Sequence, residues 1–392
     1  MSISARNKNG LYFISPLLSF VLLLCVSGCS MGPKTFKGNR FDYNVMLQRS
    51  KSEEIVLNLV RARYWEPPFF LQVGSISSSF GYSFNMGASA ALTNNLRNSA
   101  PGIDTYSPSL GTRISESPTV TYAPLQGEEA IRRLQTEMSL EHFLILTRTG
   151  FDINSLMWTT VARIGDLNNF DPSRPLTDSM RENYVKFLDL ARILRDLQAK
   201  GNLEFIRVGG NKNEDNEGLR MQLRFLERSR AGKVEGLLGI KPRRTVLPDK
   251  SVVIRIELTT VRDLTAQRGG ATECPKVPVR LKSFFQMLYD FSGFVQVAQR
   301  DLKKKIARPF SPPEGDLASR GGLHAGLIRI KTAQTPPSSA YVKIAYRGRY
   351  FYINDEDYNS KAYLMLLESV FSLLSGDIKS VKPLITLPVG GR

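Results

Sequence analysis

With two histidines and three cysteines, the chain has little from which to build nucleophilic or metal chemistry. His142 falls among Leu140, Phe143 and Leu144 in a helical pattern, where a packed or surface imidazole is expected rather than a catalytic base. His324 lies in a Gly-rich stretch without the Ser, Asp or second His that would complete a triad or a zinc site. Cys274, beside Pro275, has no neighbouring base to make it a thiolate. The carboxylates offer more. Glu53 and Glu54 suit acid–base work on a glycan, or simply offset the positive end of a helix dipole opened by Ser52. Asp355-Glu356-Asp357-Tyr358-Asn359 starts like a calcium loop but has Ser360 where Gly is required and Leu366 where Glu is required. Capping of the following helix is the better reading there. Gly236, Gly239 and Lys241 lack the spacing of a phosphate loop. Arg61 and Arg63, beside Tyr64, Trp65 and Glu66, combine planar guanidinium forks with aromatic faces, the ingredients of an anion site. The alternative is a helix end whose arginines cap carbonyls and pair with Glu66.

Charge sets the class of partner. Lys and Arg number 53 against 36 Asp and Glu, a formal charge of +17 that favours anionic envelope components, acidic proteins or lipid headgroups. The densest clusters are Arg300 to Lys305 with Arg308 following, and Lys241-Pro242-Arg243-Arg244. Both sit among Pro and Gly and are expected in exposed loops, so Arg243, Arg244, Lys303, Lys304 and Lys305 join Arg61, Arg63 and Trp65 as candidate ligand or partner contacts. Solvated charge is the plainer account of the same residues. Neither cluster interleaves aromatics and no DNA-reading motif is present, so nucleic acid is not an expected partner. A hydrophobic share of 42% with 23% charged residues excludes wholesale disorder.

The first residues form an address. Arg6 and Lys8 precede an apolar run from Leu11 to Val26, interrupted by Ser15, Pro16 and Ser19, and Val26-Ser27-Gly28-Cys29 closes it. This pattern resembles the signal peptide and lipobox of bacterial lipoproteins. The resemblance implies cleavage before Cys29 and acylation of that cysteine; lipid on Cys29 is then the only attached group expected, with no other cofactor. Ser30 in place of Asp leans towards the outer membrane of a Gram-negative cell. Loss of Cys25 with the signal and acylation of Cys29 leave Cys274 alone, so no internal disulfide is expected. Leu57 to Leu71 and Ala345 to Ile353 further resemble stretches of a family of proteobacterial outer-membrane lipoproteins, a likeness that carries no activity with it.

The elements that must position these residues follow from periodicity. Residues 1–28 are the expected signal, 29–40 a lipidated tether, 41–201 a mainly helical region with a β-hairpin, and 202–392 an α+β region. A helix is expected from Ser52 to Pro67-Pro68, then a strand with Ile76, Phe80, Tyr82 and Phe84 on one face and serines and Gly81 on the other. Ser115 to Pro124 is its expected partner, with 87–111 between them as a long loop. Four helices are expected over 127–201, the third running through Ile164 and the fourth opened by a Ser179–Glu182 capping box. Strands at 203–208, 220–226 and 252–258, a helix over 284–295, a basic loop at 299–339, a hairpin over 341–353 and a last helix to Gly376 complete the pattern. The class is α+β, antiparallel hairpins around a central helical block. A single-chain outer-membrane barrel would need about eight or more alternating strands, and helices leave no room for them.

Together these features predict a lipid-anchored cell-envelope protein, on the outer membrane and facing the periplasm. It would act without catalysis as a binding or scaffold component, contacting the membrane through its anchor and an envelope protein or anionic component through its body. The alternatives are an enzyme on cell-wall glycan or lipid, using Glu53, Glu54 or Asp357, and a carrier of anionic lipid.

Overall fold

The computed structural model describes residues 31–93, 102–125, 128–171, 177–208, 218–260, 274–310, 327–376 and 385–388. The signal segment, Cys29 and His324 lie outside them.

Helix α1 spans Met31–Arg63, with Pro33 in its first turn, where a missing N–H costs nothing. It takes in the segment expected as a tether. At about 1.5 Å per residue those residues reach less than half as far as an extended chain. Ser52 therefore does not open a helix: it is buried in mid-helix, its hydroxyl near Gln48 O (3.2 Å) and Glu368 Oε1 (2.6 Å). Glu53 and Glu54 accordingly face no helix N-terminus. Ile55, Val56, Leu59 and Val60 are the fully buried stripe that the i/i+4 spacing predicts.

Strands β1 (Leu71–Thr93) and β2 (Gly102–Pro124) form an antiparallel hairpin in register from Leu71↔Pro124 to Thr93↔Gly102. The loop expected over 87–111 is thus largely strand. Its Ala, Ser and Gly have weak strand propensity, but the two-residue repeat of Phe84, Met86, Ala88 and Ala90 against Asn85, Gly87 and Ser89 continues unbroken, and cross-strand pairing overrides composition. β13 (Ile385–Pro388) adds to β2 only at Thr119–Tyr122.

Helices α2 (Glu128–Gln135), α3 (Leu140–Thr147), α4 (Ile153–Thr160) and α5 (Asp178–Ala199) follow. α4 stops four residues before the expected end, because Val161–Ile164 is strand β3, paired to a strand far along the chain. The cap of α5 is Thr177, accepting from Met180 N at 3.4 Å, rather than Ser179. Gly201, at φ +66°, ends α5 in the left-handed conformation that glycine adopts without strain.

A mixed sheet is ordered β4-β3-β9-β8-β6-β5, where β4 is Leu167–Asn168, β5 Leu203–Val208, β6 Gly218–Phe225, β8 Val252–Thr260 and β9 Lys276–Leu281; β7 (Thr245–Val246) pairs beside β8. Only β8–β9 is parallel. Strands from either side of residue 201 share this sheet and one core. Helix α6 (Arg228–Leu238) was not foreseen. Helices α7 (Phe284–Ser292) and α8 (Gln299–Lys303) precede a three-stranded sheet of β10 (Lys331–Ala333), β12 (Arg349–Asn354) and β11 (Ala340–Tyr346), so the expected 299–339 loop contains a short helix and a strand. The β11–β12 turn has Arg347 and Gly348 both at positive φ, the geometry that matches strand twist. Helix α9 (Tyr358–Gly376) closes the body.

The core is aromatic at its centre. Phe70 lies 5.7 Å from Phe284 and 4.7 Å from Phe371, ring to ring, joining α1's exit to α7 and α9. Trp158 meets Phe291 edge-on at 5.0 Å, and its Nε1–H donates to Tyr184 Oη at 3.2 Å. The structure is α+β, as the sequence pattern predicts.

Candidate functional site

The hairpin meets the body at a carboxylate. Glu54, projecting from mid-α1, accepts Leu71 N–H at 2.6 Å, at the first residue of β1. Burial pushes its pKa up to about 7, against the opposing pull of that hydrogen bond and of Arg61 and Lys51. A cleft of about 830 Å³ opens beside it, walled by Lys51 and Arg61 of α1, Val73 and Tyr122 of the hairpin base, Lys343 of β11 and Phe371 of α9. Its charged groups are largely committed. Lys51 donates to Ser372, and Glu53 is paired with Arg49 at 3.0 Å. Asp357, the other candidate acid, does not line the cleft: it caps α9, accepting from Ser360 N at 3.1 Å and from Arg329 Nε at 3.2 Å. Burial works to raise its pKa, and those bonds outweigh it and hold it low.

The two segments singled out by composition meet in space. Glu66 accepts from Tyr346 Oη and from the Arg347 guanidinium, while Arg347 lies over the Tyr64 ring at 4.7 Å. Tyr64 in turn donates to Asp301 Oδ2 at 2.8 Å. Burial acts to raise the Glu66 pKa, and the bonds from Tyr346 and Arg347 lower it further than burial lifts it. Glu66 is therefore anchored to β11 and its turn rather than to Arg61 or Arg63.

Arg61 and Arg63 part company, as an i/i+2 pair on a helix must. Arg61 lines the cleft and reaches Asn58 Oδ1 at 3.4 Å. Arg63 is 5% exposed and sits over the Phe310 ring at 5.7 Å. Its Nε and Nη1 have no hydrogen-bond partner, and burial, aided by the nearby Arg308 charge, brings its pKa down to about 10. Arg308, expected in a solvated cluster, is also 5% exposed: it stacks on Tyr289 at 3.6 Å, donates to Tyr289 O and Ser292 Oγ, and leaves Nε and Nη1 unpartnered. Its mixture of aromatic seat and backbone bonds explains why a charge is tolerated inside. Trp65 is exposed and packs on Tyr289 at 5.6 Å.

The remaining candidates stay apart from this site. Arg244 forms a two-pronged pair with Glu235 (2.8 and 2.6 Å), and Arg243, Lys303, Lys304 and Lys305 are exposed. Cys274 is half-buried, and burial raises its thiol pKa, the reverse of activation. Sequence reasoning missed the buried Lys282–Asp290 pair (2.7 Å), in which Lys282 also donates to Trp158 O at 3.0 Å. Eight residues separate the partners across a strand-to-helix junction, so no local spacing signals them.

No protein-family model, curated protein or solved structure matches the chain. Among the described residues no group of three or more His, Cys, Asp or Glu could hold a metal ion, and no helix is long and apolar enough to cross a membrane.

Proposed function

We propose that the chain is a lipid-anchored cell-envelope protein, held at the outer membrane through Cys29, and that it acts as a non-enzymatic binding component of an envelope assembly. The observation that carries this reading is the β1–β2 hairpin. Each strand runs 23 residues, about 75 Å at roughly 3.3 Å per residue, well beyond the span of a small domain. Among the described residues only β13 pairs with an edge of it, at the base. Long unpaired strand edges are a liability unless a partner takes them up. The lipobox and the charge of +17 support the compartment and the anionic surroundings. Crosslinking in intact membranes should trap a stoichiometric envelope partner through the hairpin, and Cys29→Ala should abolish acyl labelling and release the protein. A monomer that no crosslinker captures would overturn the reading.

A second reading rests on Glu54. A carboxyl group with pKa near 7 in a cleft suits a general acid, which favours an enzyme acting on cell-wall glycan or lipid. Among the described residues that line the cleft the one other carboxylate is Glu53, and it is turned to Arg49. Turnover of purified sacculi that Glu54→Gln removes would favour this alternative.

A further inference from the structure

We propose that the β1–β2 hairpin is a membrane-inserting element, and that hairpins from several copies of this chain join edge to edge into one closed barrel in the outer membrane. The inference rests on the envelope reading above and names its partner: a second copy of this chain.

The register separates the hairpin into two sets of positions. Phe80, Tyr82, Phe84, Met86, Ala88 and Ala90 occupy one face of β1, opposite Glu116, Ile114, Thr112, Leu110, Pro108 and Tyr106 of β2. The other face holds Ser79, Gly81, Ser83, Asn85, Gly87 and Ser89 opposite Ser117, Ser115, Arg113, Gly111, Ser109 and Ser107. Asn85, Ser109 and Gly111, all on that second face, are exposed. One face is apolar apart from Thr112 and, at its basal end, Glu116, and the other is small and polar apart from Arg113, the alternation of a strand with lipid on one side and water on the other.

The length fits as well. From Tyr82 to Ala90 that face runs about 9 residues without a charge, within the roughly 9–11 needed for a tilted strand to cross a hydrocarbon band about 25 Å tall. Acids bracket it on β2, with Glu116 at the base side and Asp104 at the irregularity beyond Tyr106. Aromatic residues stand at both ends of the band, Phe80 and Tyr82 at one and Tyr106 at the other, as at two membrane interfaces.

Two strands cannot remain in lipid alone, because every backbone polar group there needs a partner and an open edge has none. β13 covers only Thr119–Tyr122, outside the band, so both edges of the band are open among the described residues. Identical hairpins close them head to tail around a ring. The smallest closed membrane barrels have about eight strands, which sets a minimum of about four copies. Pro108 withholds one donor from the ladder and leaves one rung weaker. The polar set, with Arg113 as its one charge between Ser107 and Ser117, would line the lumen. The helices that exclude a single-chain barrel do not exclude this one, since each copy contributes only a hairpin.

The test is a scan of the full-length, membrane-extracted protein. In a Cys274→Ser background, single substitutions Tyr82→Cys, Ser83→Cys, Phe84→Cys, Asn85→Cys and Met86→Cys carry an environment-sensitive dye in phosphatidylcholine–phosphatidylglycerol vesicles. Positions 82, 84 and 86 should be blue-shifted and quenched by lipid-borne quenchers, and 83 and 85 by aqueous iodide. The particle mass should correspond to four or more chains, and planar bilayers should show stepwise conductance. Tyr82→Asp should remove the conductance and the lipid quenching at 84, while the Cys29 anchor keeps the protein in the membrane fraction. Iodide quenching at all five positions, or a monomer without conductance, would overturn the inference; if such a protein still crosslinks to an envelope partner, the broader reading survives. Loss of anchoring in the unsubstituted protein would instead defeat the broader reading.

Discussion

The body and the hairpin solve the problem of backbone and charge in opposite ways. In the body, strands are covered by helices, and buried charge is paired or seated: Lys282 on Asp290, Arg308 on Tyr289 and two oxygen acceptors. In the hairpin, two strands pair only with each other over most of their length among the described residues, and residue types alternate along them. The body is self-sufficient in its contacts, whereas the hairpin, on the reading proposed above, is half of an interface. Stability should therefore reside in the first and association in the second.

The sharpest way to break that contrast is to weaken each region separately. Phe284 is fully buried, 5.7 Å from Phe70 and 5.2 Å from Phe371. Phe284→Ala should cost about 3–5 kcal/mol in urea unfolding followed by tryptophan fluorescence. Tyr82→Ala in the hairpin should move the same transition by less than about 0.5 kcal/mol. Equal effects would mean that the hairpin belongs to the body's cooperative unit.

Next in size is the joint between the regions. Glu54 has its pKa raised from 4.5 to about 7 on folding, so between those values the folded chain holds the extra proton. Stability from this group is then greatest at acid pH, declines as pH rises from about 4.5 to 7, and is flat above. The full excursion is roughly 3 kcal/mol, and Glu54→Gln should flatten it. Denaturation midpoints at pH 5 and pH 8, compared between the two proteins, check the sign. A smaller effect, of opposite sign to the core substitution, belongs to Arg63. Because Nε and Nη1 of this guanidinium lack partners, Arg63→Met should leave thermal stability unchanged or raise it by up to about 1 kcal/mol. A loss of several kcal/mol would indicate that the guanidinium has a bound counter-ion.

Periodicity made parts of both regions legible. The buried stripe of α1, the last helix and the Arg347-Gly348 turn follow from spacing and local chemistry. The first strand of the hairpin was visible because Ile76 to Phe84 alternate with serines, but its continuation was hidden by small residues whose propensity is weak until a partner strand is present. The start of α1 was hidden for a related reason: Phe41, Val45 and Met46 are exposed, so that segment carries no buried stripe to read. At the site, Arg61, Arg63, Trp65 and Glu66 are legible by type, but the neighbours that separate Arg63, Trp65 and Glu66 come from elements hundreds of residues away. Arg308 was counted among solvated cations because nothing adjacent in sequence announces Tyr289 beneath it.

The chain's two tryptophans occupy opposite extremes, Trp158 at 1% exposure in the core and Trp65 at 65% beside Arg308. The molecule thus carries a pair of native optical reporters. Acrylamide or iodide added to the intact protein dims the outer indole and spares the inner one, so a partner settling over the α1 exit can be watched without attaching any dye.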